Sequence, residues 1–332
     1  MEFFGKNVTP AILNDHLWRF SRSLFPYYGR YTPILKQDKP FFIHSNLYVC
    51  PMCTEKYVLA MGESLQGNGE FSIDHVPPKS VGGKIEVITC KKCNNDSGHA
   101  EAELQAFLDF GEKDKDNTFY PKARIRFPGI GKTFPVDAKI TGRDGFFEFK
   151  EKAKQFNPQL KELISKMHEG KIEKLQIQYQ VPDHKKISFA LLKAAYLTCF
   201  YYWGYEFVYS DIGNKFREFF NGKLEYPVQA PIIMRPKNEH PLQHEGVGIL
   251  YFNKQKQCYF ANMEIKKGEE VYTATVLVPP PVENAWENLA NVKFTYSDDQ
   301  LVSWDIFPSY LPHRSDAYSG IWASANYHTS VG

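Results

Sequence analysis

The sequence is poor in several things that would have classified it at once. Its start, MEFFGKNVTP, has neither the basic segment nor the apolar run of a secretory leader, so a cytoplasmic protein is expected. There is no uninterrupted apolar stretch long enough for a membrane span. The nearest, residues 187–209, is broken by Lys193 and Glu206 and carries several tyrosines, which suits a buried core helix. Beyond residue 117 no internal repeat and no low-complexity tract appears. Charge of one sign is scarce too: 40 Lys and Arg against 38 Asp and Glu leave a net +2. That balance neither announces nor forbids nucleic-acid binding, for which a local basic patch is sufficient.

What is present describes a folded chain. Hydrophobic residues make up 43% and charged residues 23%, the balance of a globular protein rather than a disordered one. A length of 332 residues allows two domains. Thr9 and Pro10 open a helix over 8–24, with Ile12, Leu13, Leu17 and Phe20 at helical spacing. Arg19, Arg22 and Arg30 on or after it read as solvated charge before phosphate contacts. In the C-terminal two thirds, alternating patterns predict strands at 123–127, 136–140, 146–149, 175–181, 247–252, 258–263 and 271–278. Asn157-Pro158 starts an amphipathic helix there. No catalytic constellation stands out in that part.

The informative segment is 45–110. Leu47–Val49, Phe71–Ile73 and Val87–Thr89 read as short strands, 77–83 as a loop and 94–110 as a helix. Four of the six cysteines form two Cys-x-x-Cys pairs, Cys50/Cys53 and Cys90/Cys93, separated by 36 residues. Four soft thiolates in two tight knuckles are the donor set of a closed, structural tetrahedral zinc site. Such a site compensates for a small core, and by itself it performs no chemistry. Cys199 and Cys258 stand alone in hydrophobic surroundings and read as buried small apolar residues.

Between and after the knuckles run Ile73-Asp74-His75-Val76-Pro77-Pro78-Lys79-Ser80-Val81-Gly82-Gly83 and Thr89-Cys90-Lys91-Lys92-Cys93-Asn94-Asn95-Asp96-Ser97-Gly98-His99. Over residues 50 to about 108 the chain resembles the HNH endonucleases, in the branch whose ββα-metal core is held by four cysteines. The resemblance implies an α+β protein: a zinc-stapled ββα-metal HNH module in residues 1–112 (core 45–110), then a larger α+β domain at 113–332. It implies phosphodiester hydrolysis, most directly of DNA, with His75 as general base. Asp74 and Asn94 would hold one Mg or Mn ion against the scissile phosphate as Lewis acid. Asn95 and His99, four residues apart on one helical face, form an additional or alternative metal or phosphate pair. Lys79, Lys91 and Lys92 surround the site and are candidates for nucleic-acid contacts.

One departure bears on activity. Many relatives carry an asparagine shortly before the second knuckle, and here that position is Ile85. Two functional classes therefore stay open. One is a metal-dependent nuclease in bacterial defence or mobile-element biology, with a homodimer or a regulatory protein partner. The other is a non-catalytic zinc module that binds nucleic acid or protein.

Overall fold

The structure is a computed structural model that describes residues 8–24, 47–61, 64–110, 118–119, 122–141, 146–151, 158–171, 174–179, 183–225, 232–239, 245–252, 256–279, 286 and 309–310. Arg30, Asn157, Val181 and the charged stretch 111–117 lie outside these residues. Contacts group the chain into two compact units, residues 1–99 with 188–332, and residues 100–187. The boundary expected at 112/113 falls inside the second unit. The units break at 99/100 and 187/188.

Along the chain, α1 (Pro10–Leu24) starts as its sequence predicts, with the Thr9 hydroxyl accepting the Ile12 amide at 3.3 Å. Leu13, Leu17 and Phe20 are buried on one face. β1 (Leu47–Val49), β2 (Tyr57–Met61) and β3 (Ser64–Gly67) make an antiparallel meander, Leu47 opposite Leu59 and Val58 opposite Gly67. β4 (Phe71–Val76) and β5 (Ile85–Cys90) form an antiparallel hairpin in which Ile73 faces Ile88 and His75 faces Glu86. α2 (Lys91–Phe110) follows β5 without a break, three residues earlier than its pattern suggests. The β4–β5 connection closes tightly: a Cβ on Gly83 would lie 1.6 Å from the Pro77 carbonyl oxygen, so glycine is required there.

The second unit is a five-stranded antiparallel sheet with one helix against it. β6 (Thr118–Phe119), β7 (Lys122–Arg126), β8 (Thr133–Thr141), β9 (Phe146–Glu151) and β10 (Gln176–Tyr179) run in the order β10-β7-β8-β6, with β9 also on β8. On β7 the period of two is plain. Ala123 and Ile125 go inward to meet Leu160 and Leu163 of α3 (Pro158–His168), while Arg124 and Arg126 face water.

The chain then re-enters the first unit through α4 (His184–Tyr209), whose 26 residues are almost wholly buried beyond its first turn. Gly204 interrupts it at φ 63°, a left-handed conformation that turns the last segment. α5 (Asp211–Phe220) is capped by Ser210, whose hydroxyl accepts the Gly213 amide at 3.0 Å. A second antiparallel sheet follows: β11 (Ile232–Pro236), β12 (Gly246–Phe252), β13 (Lys256–Lys267), β14 (Glu270–Val278) and β15 (Ser309–Tyr310), ordered β11-β14-β13-β12-β15. Aromatic packing ties α4 to α1 and β1. Phe200 stacks on Phe20 with centroids 4.4 Å apart, and Tyr48 meets Phe20, Phe71, Phe200 and Tyr205 edge-on. Among the described residues no helix is long and apolar enough to cross a membrane.

Candidate functional site

The first knuckle is the β1–β2 turn. The Cys50 amide donates to the Lys56 carbonyl at 2.7 Å and the Thr54 amide to the Cys50 carbonyl at 2.9 Å, with Thr54 at φ 56°. The second knuckle is the junction of β5 and α2, where the Lys91 amide donates to the Glu70 carbonyl at 2.7 Å. Together they bring the sulfurs of Cys50, Cys53, Cys90 and Cys93 within 4.8 Å of one another. Cys53 Sγ is 3.9 Å from Cys90 Sγ. Zn–S bonds of ~2.3 Å in a tetrahedron require sulfur–sulfur separations of about 3.8 Å, so the cluster can hold a metal such as zinc with little adjustment. Burial pushes the Cys50 thiol up, whereas hydrogen bonding from Cys50 pulls Cys53 down strongly and Cys90 to about 7. The Cys90 amide also donates to Cys50 Sγ at 3.2 Å, the kind of backbone support that orients a thiolate ligand.

The knuckle is fastened from behind by α4. Tyr196 Oη donates to the Pro51 carbonyl at 2.7 Å and itself accepts from Arg217 at 3.2 Å. Tyr205 Oη accepts the Val49 amide at 2.8 Å and donates to the Val49 carbonyl. Both tyrosines are fully buried, so each hydroxyl satisfies backbone groups that burial would otherwise strand. Burial pushes the Tyr196 phenol up to about 12.

Next to this clasp lies a buried polar cluster. Asp74, 3% exposed, faces the protein interior from β4, and its Oδ2 is 2.6 Å from the ammonium of Lys193 on α4. Thr89 Oγ1 donates to the same Oδ2 at 3.3 Å. Lys193, 2% exposed, also donates to Ser97 Oγ at 2.6 Å, and Ser97 donates on to the Asn94 carbonyl at 2.8 Å. Asn94 anchors α2 to β4: its amide group donates to Ser72 Oγ and to the Ile73 carbonyl, both at 3.0 Å. Asp74 and Asn94 thus meet the same stretch of β4.

Strand alternation sends His75 to the opposite face. Its imidazole is half-buried, with Nε2 3.5 Å from Glu86 Oε1 across the hairpin. Glu86 also borders a cleft of about 420 Å³ lined by Asp15, His16, Arg19, Lys84 and Tyr201. Arg19 sits there with its guanidinium 3.9 Å from the Tyr201 ring centroid, and Lys84 pairs with Glu245 and Glu264 at 3.3 and 3.0 Å. The outer candidates are all exposed. Lys79, Asn95 and His99 face solvent, Lys91 pairs with Glu70 at 2.8 Å and Lys92 with Asp96 at 2.9 Å. Ile85 opposes Val76 at the loop end of the hairpin.

The structure therefore brings the four cysteines together and sets Asp74 of β4 near the start of α2, where Asn94 binds Ser72 and Ile73 of the same strand, with His75 on the opposite face of β4. Among the described residues the four cysteines are the one place where three or more Cys, His, Asp or Glu ligand atoms converge. A divalent Mg or Mn ion at Asp74 does not fit this arrangement. Magnesium keeps several waters in an octahedral shell, and here a nearly inaccessible carboxylate is already engaged by an ammonium. Sequence reasoning missed Lys193 and Thr89 as partners of Asp74, and Ser97 as the second partner of Lys193. Compared with known proteins, the chain matches no family model, no curated protein and no solved structure.

Proposed function

We propose that residues 47–110 are a zinc-stapled ββα nuclease module that hydrolyses phosphodiester bonds in nucleic acid, with DNA as its substrate. The observation that supports this most is the position of His75, a half-buried imidazole on a β-hairpin that runs straight into a cysteine-clasped helix. In this reading His75 takes a proton from the attacking water, and the Glu86 carboxylate across the hairpin stabilises the imidazolium that forms. Asn94 is a positioning residue that fixes β4 against α2 through Ser72 and Ile73. Lys79, Lys91 and Lys92, exposed on the same segment, offer contacts to backbone phosphates. No step is assigned to a metal at Asp74.

A second reading, a zinc module that binds nucleic acid without cutting it, is favoured by the same Asp74–Lys193 pair. A supercoiled-plasmid assay with magnesium, manganese or EDTA separates the two. Wild-type protein is expected to nick the plasmid, and His75→Ala to lower the rate by about 10²–10⁴-fold while unfolding at the same urea concentration. A folded His75→Ala protein of full activity removes the proposed base. Retarded migration of DNA in EDTA with no cleavage under any metal decides for the binding module.

A further inference from the structure

The least accessible lysine among the described residues is in an unusual place. Lys193 lies in the middle of an apolar helix, between Leu192 and Ala194, and is among the largest fully buried side chains of the protein. A buried ammonium is costly unless it is paired and hydrogen-bonded, and this one is both. Its partners are the Asp74 carboxylate and the Ser97 hydroxyl, each 2.6 Å away. Ser97 continues the chain of hydrogen bonds to the carbonyls of Asn94 and Cys93, at 2.8 and 3.3 Å, which belong to the second cysteine knuckle.

From this geometry we infer that Lys193 is the permanent internal cation of the Asp74 site, occupying the place beside the carboxylate where a divalent ion would otherwise bind. The ammonium supplies the positive charge that Asp74 needs in a dry environment. A second cation brought to the same oxygen would meet a like charge within a few ångströms, where water cannot screen it. It would also have to strip its water shell to reach a carboxylate 3% exposed. Lys193 satisfies Asp74 and supports the knuckle backbone through Ser97. Among the described residues the place for a metal is therefore the four cysteines and not Asp74.

The inference concerns ion binding and stands independently of whether the module cleaves nucleic acid. Its test is a manganese titration of the full, zinc-loaded chain, followed by the loss of the free Mn²⁺ electron paramagnetic resonance signal. Wild type, Lys193→Met and the doubly neutral Asp74→Asn/Lys193→Met are compared. Wild type and the double variant should titrate alike, and Lys193→Met should take up one additional Mn²⁺ at least tenfold more tightly. Manganese bound by wild type and lost in the double variant overturns the inference. So does a folded Lys193→Met that binds no more than wild type. If Lys193→Met does not fold, the comparison of wild type with the double variant decides alone. Absence of plasmid cleavage by wild type counts against the nuclease reading and leaves this one untouched.

Discussion

Asp74 and Lys193 form the sharpest test of how this protein tolerates charge in its interior, because each is at most 3% exposed. Two opposite ions in a dry site recover by mutual attraction only part of what leaving water costs, so the pair as a whole is worth little. Removing one member is different, since it leaves the other buried and uncompensated. Lys193→Met should therefore destabilise the protein by about 3–5 kcal/mol, whereas Asp74→Leu combined with Lys193→Met should stay within about 1 kcal/mol of wild type. Urea unfolding of the four members of this cycle measures both values. Equal costs for the single and double variants would mean that Lys193 acts by packing and not by charge. The sequence could not disclose this pairing. Lys193 appears there as a polar interruption in an apolar helix, and its partner lies far upstream among strand residues.

At the scale of elements, the parts that could be read from the chain are those governed by local rules. The capping Thr9, the alternation of β7 and the Cys-x-x-Cys knuckles each act over a few residues, and α1, β7 and the metal cluster appear where those signals sit. α5 was hidden because Gly213 and Asn214 are poor helix formers, and it is held by the Ser210 cap together with the packing of Phe216 on Tyr196 and Phe207 of α4. β2 and β3 were hidden because they are short and carry Ala, Ser and Gly in place of a clean alternation. The two glycines of the ββα segment should respond oppositely to alanine. Gly83→Ala forces a Cβ onto the Pro77 carbonyl and should cost at least about 2 kcal/mol. Gly98, on the exposed side of α2 with open space around it, should gain about 1 kcal/mol as Ala. Chemical denaturation of the two variants checks the signs.

For the whole molecule, the consequential finding is that the cysteine clasp and α4 belong to one discontinuous unit, with residues 100–187 inserted between its halves. Sequence patterning places a domain boundary at the charged stretch after α2, because composition changes there. Tyr196, Tyr205 and Lys193, all beyond that stretch, reach back to Pro51, Val49 and Asp74. A fragment ending at residue 112 loses all three and should show no cooperative urea transition even with zinc present, as followed by circular dichroism. A sharp transition in that fragment would restore the simpler two-part arrangement.

The discontinuity also sets an order of events during synthesis. All four cysteines leave the ribosome about a hundred residues before Lys193, which at ~5–20 residues per second is an interval of about 5–20 s. Throughout it the nascent knuckles can already clasp zinc, while Asp74 still lacks its ammonium partner. The newborn chain is thus open at the very carboxylate that the finished protein seals.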